Sequence, residues 1–367
     1  MSLIIFIIIL SALVIVHELG HFLVARKFGI RVDEFGLGFP PRAKKLFTWK
    51  STPFTLNWLP FGGFVKIFGE NPSENSPRKD LGVPLGLSSG DSFQSKNRSI
   101  QAAVLGAGVV GNFIFAWLLI SLGFVVGLPA PAGLSLPIND PQTVITIVLP
   151  DSPAELIGLK SGDVITRLSR GEASSELTPE AASLFISQSL EPITFEIDRG
   201  GQISTKVVIP KEGIVEGRPA VGISMDTIGI VKLSPLQAVG YGLKTTSELT
   251  VMTAQAIGIF IWEALGGRAD LSSVTGPVGI VGMVGDVREL GFVYLLTFTA
   301  LISINLAIIN LLPFPALDGG RLLFVLVETI TRRPIPPRVF NALNTLGFAF
   351  LIFLMLLVTI RDVRNIF

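Results

Sequence analysis

Four long apolar stretches dominate the pattern of hydrophobic and polar positions along the chain. They cover about residues 3–24, 100–127, 291–313 and 340–360. The hydrocarbon core of a bilayer is about 30 Å thick and takes roughly 20 mostly apolar helical residues to cross, so each stretch predicts a transmembrane helix. The first stretch has no basic N-terminal region and no small-residue cleavage site, which indicates a true span rather than a secretory signal.

The segment from about residue 130 to 225 has a different pattern. Short alternating strands such as TVITIVL and ITFEID are separated by Gly, Pro, Asp and Ser, which is typical of a small β-rich domain. One helix is predicted inside it, with Thr178 as the N-cap and Glu180 in the first turn. We expect this domain to occupy residues 128–232.

Two further segments differ from both patterns. Residues 233–290 are predicted to be an amphipathic interfacial helix and a connector, because scattered polar residues between Ser234 and Leu265 favour a helix on the membrane surface over a fifth span. Residues 71–92, rich in Pro, Ser, Gly and charge, are predicted to be a mobile loop. The fold class is therefore a polytopic α-helical membrane protein with about four transmembrane helices and an inserted β-rich domain.

Composition and charge narrow the classes of function. The chain is 49% hydrophobic and only 16% charged, against about a quarter charged in a soluble domain, which argues against a soluble enzyme. A formal net charge of +1 gives no basic field for nucleic acid, so no nucleic-acid partner is expected. The lipid bilayer is the expected surrounding.

The distribution of Lys and Arg predicts the orientation in the membrane. Twelve of them lie between the first two spans, so that segment should be cytoplasmic. Alternation then places residues 128–290 and both termini outside, and residues 331–338 inside. Arg361 and Arg364 near the C-terminus oppose this assignment but are outnumbered.

The two histidines of the chain stand together at the end of the first span. His17, Glu18 and His21 form H-E-x-x-H. Residues four apart share one helix face, so both imidazoles can bind one zinc ion while Glu18 beside it activates water. Ionisable groups inside an apolar span are costly and indicate function; a pair of helix-packing histidines is the structural alternative.

A third zinc ligand has to be a carboxylate, because the chain has no cysteine and no other histidine. Asp318 is the candidate. It follows the third span in a stretch broken by Pro and Gly, at a depth where irregular backbone is tolerated only around a site. Like the histidines, it lies near the inner end of an odd-numbered span. A turn aspartate after Pro315 is the alternative.

Polar and small residues within the spans have two interpretations. Asn310 is a candidate for holding the substrate backbone or stabilising an oxyanion, and interhelical hydrogen bonding explains it equally well. For Asn112 the interhelical interpretation is favoured. Gly106, Gly108 and Gly111 are predicted to let helices approach closely.

Four motifs together carry a family resemblance: HELGHFLVAR, FGLGFPPR, PFGGFVKIFGE and NLLPFPALDGGRL. They resemble the site-2 protease family of intramembrane zinc metalloproteases, in its bacterial RseP-like branch, over essentially the whole chain. The resemblance implies that His17, His21 and Asp318 bind Zn²⁺, that Glu18 is the general base and acid, and that Asn310 positions the substrate.

Residues 54–68 resemble the membrane-dipping β-hairpin of that family. The edge of the hairpin would pair with an unwound substrate strand, which makes Gly62, Gly63 and Phe64 candidates for positioning the substrate. Alternating apolar residues and a turn at Gly62-Gly63 predict a hairpin independently. A purely structural hairpin is the alternative.

Residues 149–165 resemble the PDZ domains of the family. A short helix is predicted from Pro153 to a stop at Gly158, followed by a turn into a strand, and residues 220–224 are the candidate peptide-binding strand. The domain would bind a peptide or the outer domain of a substrate, or act as a size filter. Two features depart from the family. Only one PDZ domain fits where the best-known members have two, and the G-P-x-x-N pattern lacks its proline before Asn112, which weakens any role carried over to Asn112.

The resemblance implies regulated intramembrane proteolysis in a bacterial inner membrane. The substrate would be a single-span membrane protein, such as an anti-sigma factor or a signal-peptide remnant, cut toward the cytoplasmic side with the PDZ domain outside. A metal-ion transporter or metal-dependent receptor using the same His/His/Asp site is the alternative from another class, although the repeats and polar path of a transporter are missing. An inactive scaffold is a third interpretation, against which the intact motif speaks.

Overall fold

The computed structural model describes residues 1–70, 89–132, 137–215, 217–268 and 274–366. The chain divides into two compact units, one formed by Met1–Ser121 with Val239–Phe367 and the other by Leu122–Ala238. The predicted loop at 71–92 lies outside the described residues except for its last four, of which Ser89–Asp91 form a short 3-10 turn.

The first unit is mainly helical, and each of the four predicted spans is confirmed as a long apolar helix. Its helices are α1 (Ser2–Lys27), α2 (Arg98–Val126, whose last residues lie in the second unit), α5 (Pro235–Leu265, likewise shared), α6 (Pro277–Leu290), α7 (Phe292–Leu311), α8 (Asp318–Thr331) and α9 (Pro337–Ile366). Spans one, two, three and four correspond to α1, α2, α7 and α9.

The helix α5 differs from its prediction in length and composition. It has 31 residues and meets the criteria for a membrane span, and its most apolar stretch is not buried at all within the protein. Five helices of the described chain are therefore long and apolar enough to cross a bilayer. The predicted placement of α5 on the membrane surface stays a prediction.

The helices α1 and α7 run in the same direction. Ser2 at the start of α1 adjoins Gly285 near the end of α6, directly before α7 begins. Ile9 and Leu13 of α1 are buried in one apolar cluster with residues of α6 and α7. At the other end, His21 lies beside Asp318, which follows α7. Both helices therefore deliver their last residues to the same level.

A sheet of β1 (Val32–Trp49) and β2 (Thr52–Ile67) packs against α1. The two strands pair antiparallel with several register shifts. The segment 35–37 of β1 has partners on both sides, 54–56 of β2 on one and 63–65 of β2 on the other. The prediction of one hairpin over 54–68 is therefore wrong in its pairing. The chain does reverse between Leu59 and Gly63, but the arms of β2 pair with β1 between them rather than with each other.

The second unit is the predicted β-rich domain. Its strands are β3 (Leu128–Pro131), β4 (Asn139–Val148), β5 (Val164–Arg170), β6 (Ala173–Ser174), β7 (Ile193–Arg199), β8 (Gln202–Val208), β9 (Lys211–Val215), β10 (Arg218–Ala220) and β11 (Ile223–Val231). The main sheet has the order β3-β11-β4-β5-β7-β8, with β6 paired to β5 and β9 paired to β10 separately.

Two predicted helices of this unit are confirmed. The short helix α3 (Pro153–Leu156) is followed by Gly158 with a positive φ of 77°, which favours glycine. The helix α4 (Pro179–Ser187) has Thr178 as its N-cap, whose hydroxyl accepts the N–H of Ala181 at 3.2 Å. Apolar side chains from α3, α4 and the sheet close one core, which includes Ile165, Phe195 and Ile197.

Candidate metal centre and active site

Three predicted ligands converge, although they come from two distant parts of the chain. The Nε2 atoms of His17 and His21 lie 3.2 Å apart, and both are near Oδ2 of Asp318, at 2.9 Å and 3.1 Å respectively. His17 and His21 are buried, and Asp318 begins α8. Two nitrogens and one oxygen therefore form a nearly equilateral triangle.

The triangle fits a zinc ion in the size of its edges and the chemistry of its donors. With zinc–ligand distances of about 2.0–2.1 Å, two ligands of a tetrahedral ion lie roughly 3.3 Å apart. The observed edges of 2.9–3.2 Å are close to that value. Two imidazoles and one carboxylate also match the ligand set of hydrolytic zinc sites, which leave a fourth position open.

Helix α2 holds the two imidazoles in place. The Nδ1–H of His21 donates to the backbone oxygen of Val104 at 2.7 Å. Because a carbonyl only accepts, the proton of neutral His21 lies on Nδ1, and Nε2 keeps its lone pair for the metal. Nδ1 of His17 lies 3.3 Å from the amide nitrogen of Asn112. This contact joins α2 to α1, as the interhelical interpretation of Asn112 expects, and it also brings Asn112 to a predicted ligand.

Glycines allow this close crossing of α1 and α2. A Cβ on Gly20 would overlap the carbonyl of Ala107, and one on Gly111 would lie 2.9 Å from the carbonyl oxygen of Val16. At Gly108 the nearest atoms belong to the imidazoles themselves, with Nε2 of His21 at 2.5 Å and Cε1 of His17 at 2.6 Å. A Cβ on Gly106 would meet no atom of the described residues within 4 Å, so the predicted packing role is wrong for that residue.

Glu18 is held by the sheet. Its Oε2 accepts the backbone N–H of Val65 at 2.9 Å. Val65 lies in the segment 63–67 of β2, which among the described residues has a strand partner on one side only. The other side of this segment therefore faces Glu18. Sequence reasoning did not find Val65, because a backbone group leaves no signature in the residue type.

The hairpin residues predicted to position the substrate lie around this contact. Gly62 has a positive φ of 77°, as expected at a reversal of the chain. Gly63 packs so closely on β1 that a Cβ would lie 2.9 Å from the backbone oxygen of Gly36, and the ring of Phe64 covers Gly36. Their contact with a substrate stays a prediction.

Two more residues lie near the centre. Asn310 is half-buried in the last turn of α7, and its substrate role stays a prediction. Arg321, one turn after Asp318 on α8, is paired with Glu70 at the end of the sheet region. Arg321 belongs to the sequence motif DGGR, but its spacing from Asp318 was not enough to predict that it lies near the site.

Long apolar helices around an H-E-x-x-H helix and a converging aspartate define a membrane protein with a metallohydrolase site. The model of the family described as peptidase family M50 matches residues 5–354. The chain belongs to this family, the site-2 protease family.

Curated relatives agree with this assignment. A protein of Clostridium perfringens named as a zinc metalloprotease is 36% identical, with 96% of each chain covered. The zinc metalloprotease RasP of Geobacillus kaustophilus is 30% identical, covering 100% of this chain and 98% of its own. RasP of Oceanobacillus iheyensis is 28% identical, covering 99% and 98%. The chain is therefore a zinc metalloprotease, and Zn²⁺ is its metal.

Proposed function

We propose that this protein hydrolyses a peptide bond in or near the transmembrane segment of another membrane protein. One observation carries the proposal: the H-E-x-x-H residues lie within the 26-residue apolar helix α1, and the carboxylate of Asp318 meets them there. A protease whose catalytic groups lie within a membrane-spanning helix has access to bonds at that depth. Soluble chains would have to enter the bilayer.

The residues of the site divide the chemistry between them. When bound by His17, His21 and Asp318, zinc supplies a Lewis acid for the scissile carbonyl and acidifies water. Glu18 takes the proton of the attacking water and passes it to the leaving amine nitrogen. The N–H of Val65 holds one carboxylate oxygen of Glu18, which leaves the other oxygen for the proton.

The side of segment 63–67 that has no strand partner among the described residues is the proposed binding site of the substrate. A peptide in extended form can add to the unpaired side of a strand through backbone hydrogen bonds. Along this side, its backbone would pass Glu18. Gly62, Gly63 and Phe64 would then position the substrate from the sheet, and Asn310 from α7.

Water has a candidate route to the site. A cavity of about 580 Å³ is lined by Glu70, Arg98, Arg321 and Glu328 among other residues. Arg321 belongs both to this lining and to the first turn of α8, which Asp318 begins. Charged groups keep such a cavity wet, which hydrolysis within a membrane requires.

The second unit is proposed to be a PDZ domain outside the cytoplasm. Its caps and turns follow the pattern that resembled PDZ sequences, and β11 begins within the segment 220–224 proposed to bind peptide. There it would bind a peptide or the outer domain of a substrate, or exclude substrates with bulky outer domains. An anti-sigma factor or a signal-peptide remnant in a bacterial inner membrane is the substrate class that fits such regulated proteolysis.

The parallel course of α1 and α7 supports a topology in which α5 does not cross the membrane. Two parallel spans require an odd number of crossings between them, and α2 provides one. A complete crossing by α5 would need another to compensate. We therefore propose that α5 lies along the outer surface of the membrane. Residues 25–99 are proposed to face the cytoplasm, as their Lys and Arg content indicates.

The absence of native cysteine allows a direct test of orientation. Single cysteines at exposed Glu172 in the second unit and exposed Lys45 on β1 are treated with a membrane-impermeant thiol reagent in intact cells. We expect labelling of Glu172→Cys at once, and of Lys45→Cys only after permeabilisation. The reverse pattern would contradict the orientation.

Cleavage of single-span substrates tests the function itself. The purified protein in detergent is given several single-span proteins, and the products are mapped by mass spectrometry against the variant Glu18→Gln. We expect Glu18-dependent cuts within or next to the span, with faster cleavage when Gly is placed near the cut, because a helix has to open into a strand. If no span is cut while metal flux depends on the same residues, the transporter interpretation, which the relatives do not favour, would replace the protease.

A further inference from the structure

We propose that Asn112 is a positioning residue for the zinc ligand His17. Its amide oxygen would accept the Nδ1–H of His17 in the zinc-loaded protein and so direct Nε2 of His17 to the metal. Asn112 is completely buried on α2, and its side chain lies 3.3 Å from Nδ1 of His17. The inference rests on the zinc site of the proposed function, not on its substrate.

The neighbouring histidine provides the comparison. In His21, Nδ1 is held by a backbone oxygen at 2.7 Å, and Nε2 points into the ligand triangle. Nε2 of His17 points into the same triangle. A neutral imidazole carries one proton, so zinc binding through Nε2 requires the proton on Nδ1, and that proton needs an acceptor. Asn112 is the group that lies there.

The side chain of Asn112 can provide the acceptor if its terminal amide group flips, so that the oxygen and the nitrogen exchange places. Its nitrogen faces His17, while its oxygen is buried without a hydrogen-bond partner among the described residues. The turn therefore breaks no bond of the oxygen. It exchanges a donor for an acceptor at nearly the same position, since the two branches of an amide have almost the same shape.

The backbone around Asn112 is held independently of the side chain. The hydroxyl of Ser303 on α7 donates to the backbone oxygen of Asn112 at 2.8 Å. One residue earlier, Gly111 permits contact with α1. Asn112 thus stays in place beside His17 while its amide turns, and a substitution of the side chain leaves these backbone contacts intact.

Zinc affinity of full-length variants tests this role without any substrate. Asn112→Leu removes the acceptor at similar volume, and Asn112→Asp keeps an oxygen toward Nδ1. We expect competition with a chelator to show an affinity about 10–100-fold lower for Asn112→Leu, as for other partners of metal-bound histidines, and an affinity within a few-fold of wild type for Asn112→Asp. The absorption spectrum of the cobalt-substituted protein should change in Asn112→Leu and be restored in Asn112→Asp.

Matched variants separate this effect from the loss of a buried amide. Asn305→Leu on α7 removes an amide that, among the described residues, bonds only within its own helix, to Leu301, and should keep wild-type affinity. If Asn112→Leu does not fold, Asn112→Ala removes the amide without added bulk and should show the same loss. Wild-type affinity in Asn112→Leu or Asn112→Ala would overturn the proposal, as would an Asn112→Asp variant as weak as Asn112→Leu. A protein that binds zinc in this pattern but cuts no span would refute the proposed function alone.

Discussion

Glu18→Gln is expected to lower the rate of peptide cleavage by about 10²–10⁴-fold while the zinc content stays that of wild type. A positioned general acid and base contributes a factor of that size. Glutamine has the shape of glutamate and can still accept the N–H of Val65 through its amide oxygen, so the sheet keeps its contact with α1. What it loses is the capacity to take a proton from water. The measurement combines kcat on a single-span substrate with metal analysis.

A matched variant separates the specific role of Glu18 from the general effect of removing one negative charge. Glu263→Gln changes an exposed carboxylate on α5 and should leave both activity and zinc unchanged. Glu18→Ala, which also removes the acceptor for Val65, should additionally increase hydrogen exchange in segment 63–67. Cleavage by Glu18→Gln within ten-fold of wild type would refute the assignment of Glu18 as the base.

Gly108→Ala is expected to abolish both zinc binding and cleavage. The added Cβ would lie 2.5 Å from Nε2 of His21 and 2.7 Å from Nε2 of His17, well inside van der Waals contact. Both atoms are proposed metal ligands. They cannot retreat freely, because Nδ1 of His21 is bonded to Val104. Displacing these two nitrogens would take two of the three proposed ligands away from the ion. We therefore expect zinc affinity to fall at least about 100-fold.

Gly106→Ala is the control on the same helix. In the part of the chain that the structure describes, its Cβ would meet nothing within 4 Å, and alanine in place of glycine stabilises a helix interior by about 0.5–1 kcal/mol. This variant should bind zinc and cleave substrate as wild type does. Equal zinc affinity in Gly108→Ala and Gly106→Ala, measured by chelator competition, would show that the imidazoles do not lie against Gly108.

The candidate ligand set could be predicted from the sequence because the chain has few side chains that could bind zinc. With two histidines and no cysteine, zinc chemistry left only a carboxylate for the third position, and Asp318 stood in a broken segment after a span. The structure brings its oxygen to within 3.1 Å of both imidazoles. The four long apolar helices could be predicted equally well from the length of the apolar stretches, because the thickness of the bilayer sets that length.

The sheet beside the site could be predicted only in part. Alternation and glycines indicated strands and a reversal near residue 62, but not that segment 35–37 lies between the two arms of β2. Pairing depends on register between segments, which residue types specify weakly when glycines and apolar residues alternate on both sides. The same limit applied to α5, whose composition is compatible with both a surface helix and a span.

Hydrophobic length, periodicity and ligand chemistry are properties of residue types, so the amino-acid sequence was enough to predict the long apolar helices, the β-rich unit and the candidate zinc ligands. Three contacts became visible only in the folded chain: Gly108 lies against both imidazoles, Asn112 adjoins His17, and the N–H of Val65 holds Glu18. These contacts join residues 47 to 95 positions apart. They depend on how closely helices cross and on which backbone group a strand presents. Neither can be predicted from the type of a single residue.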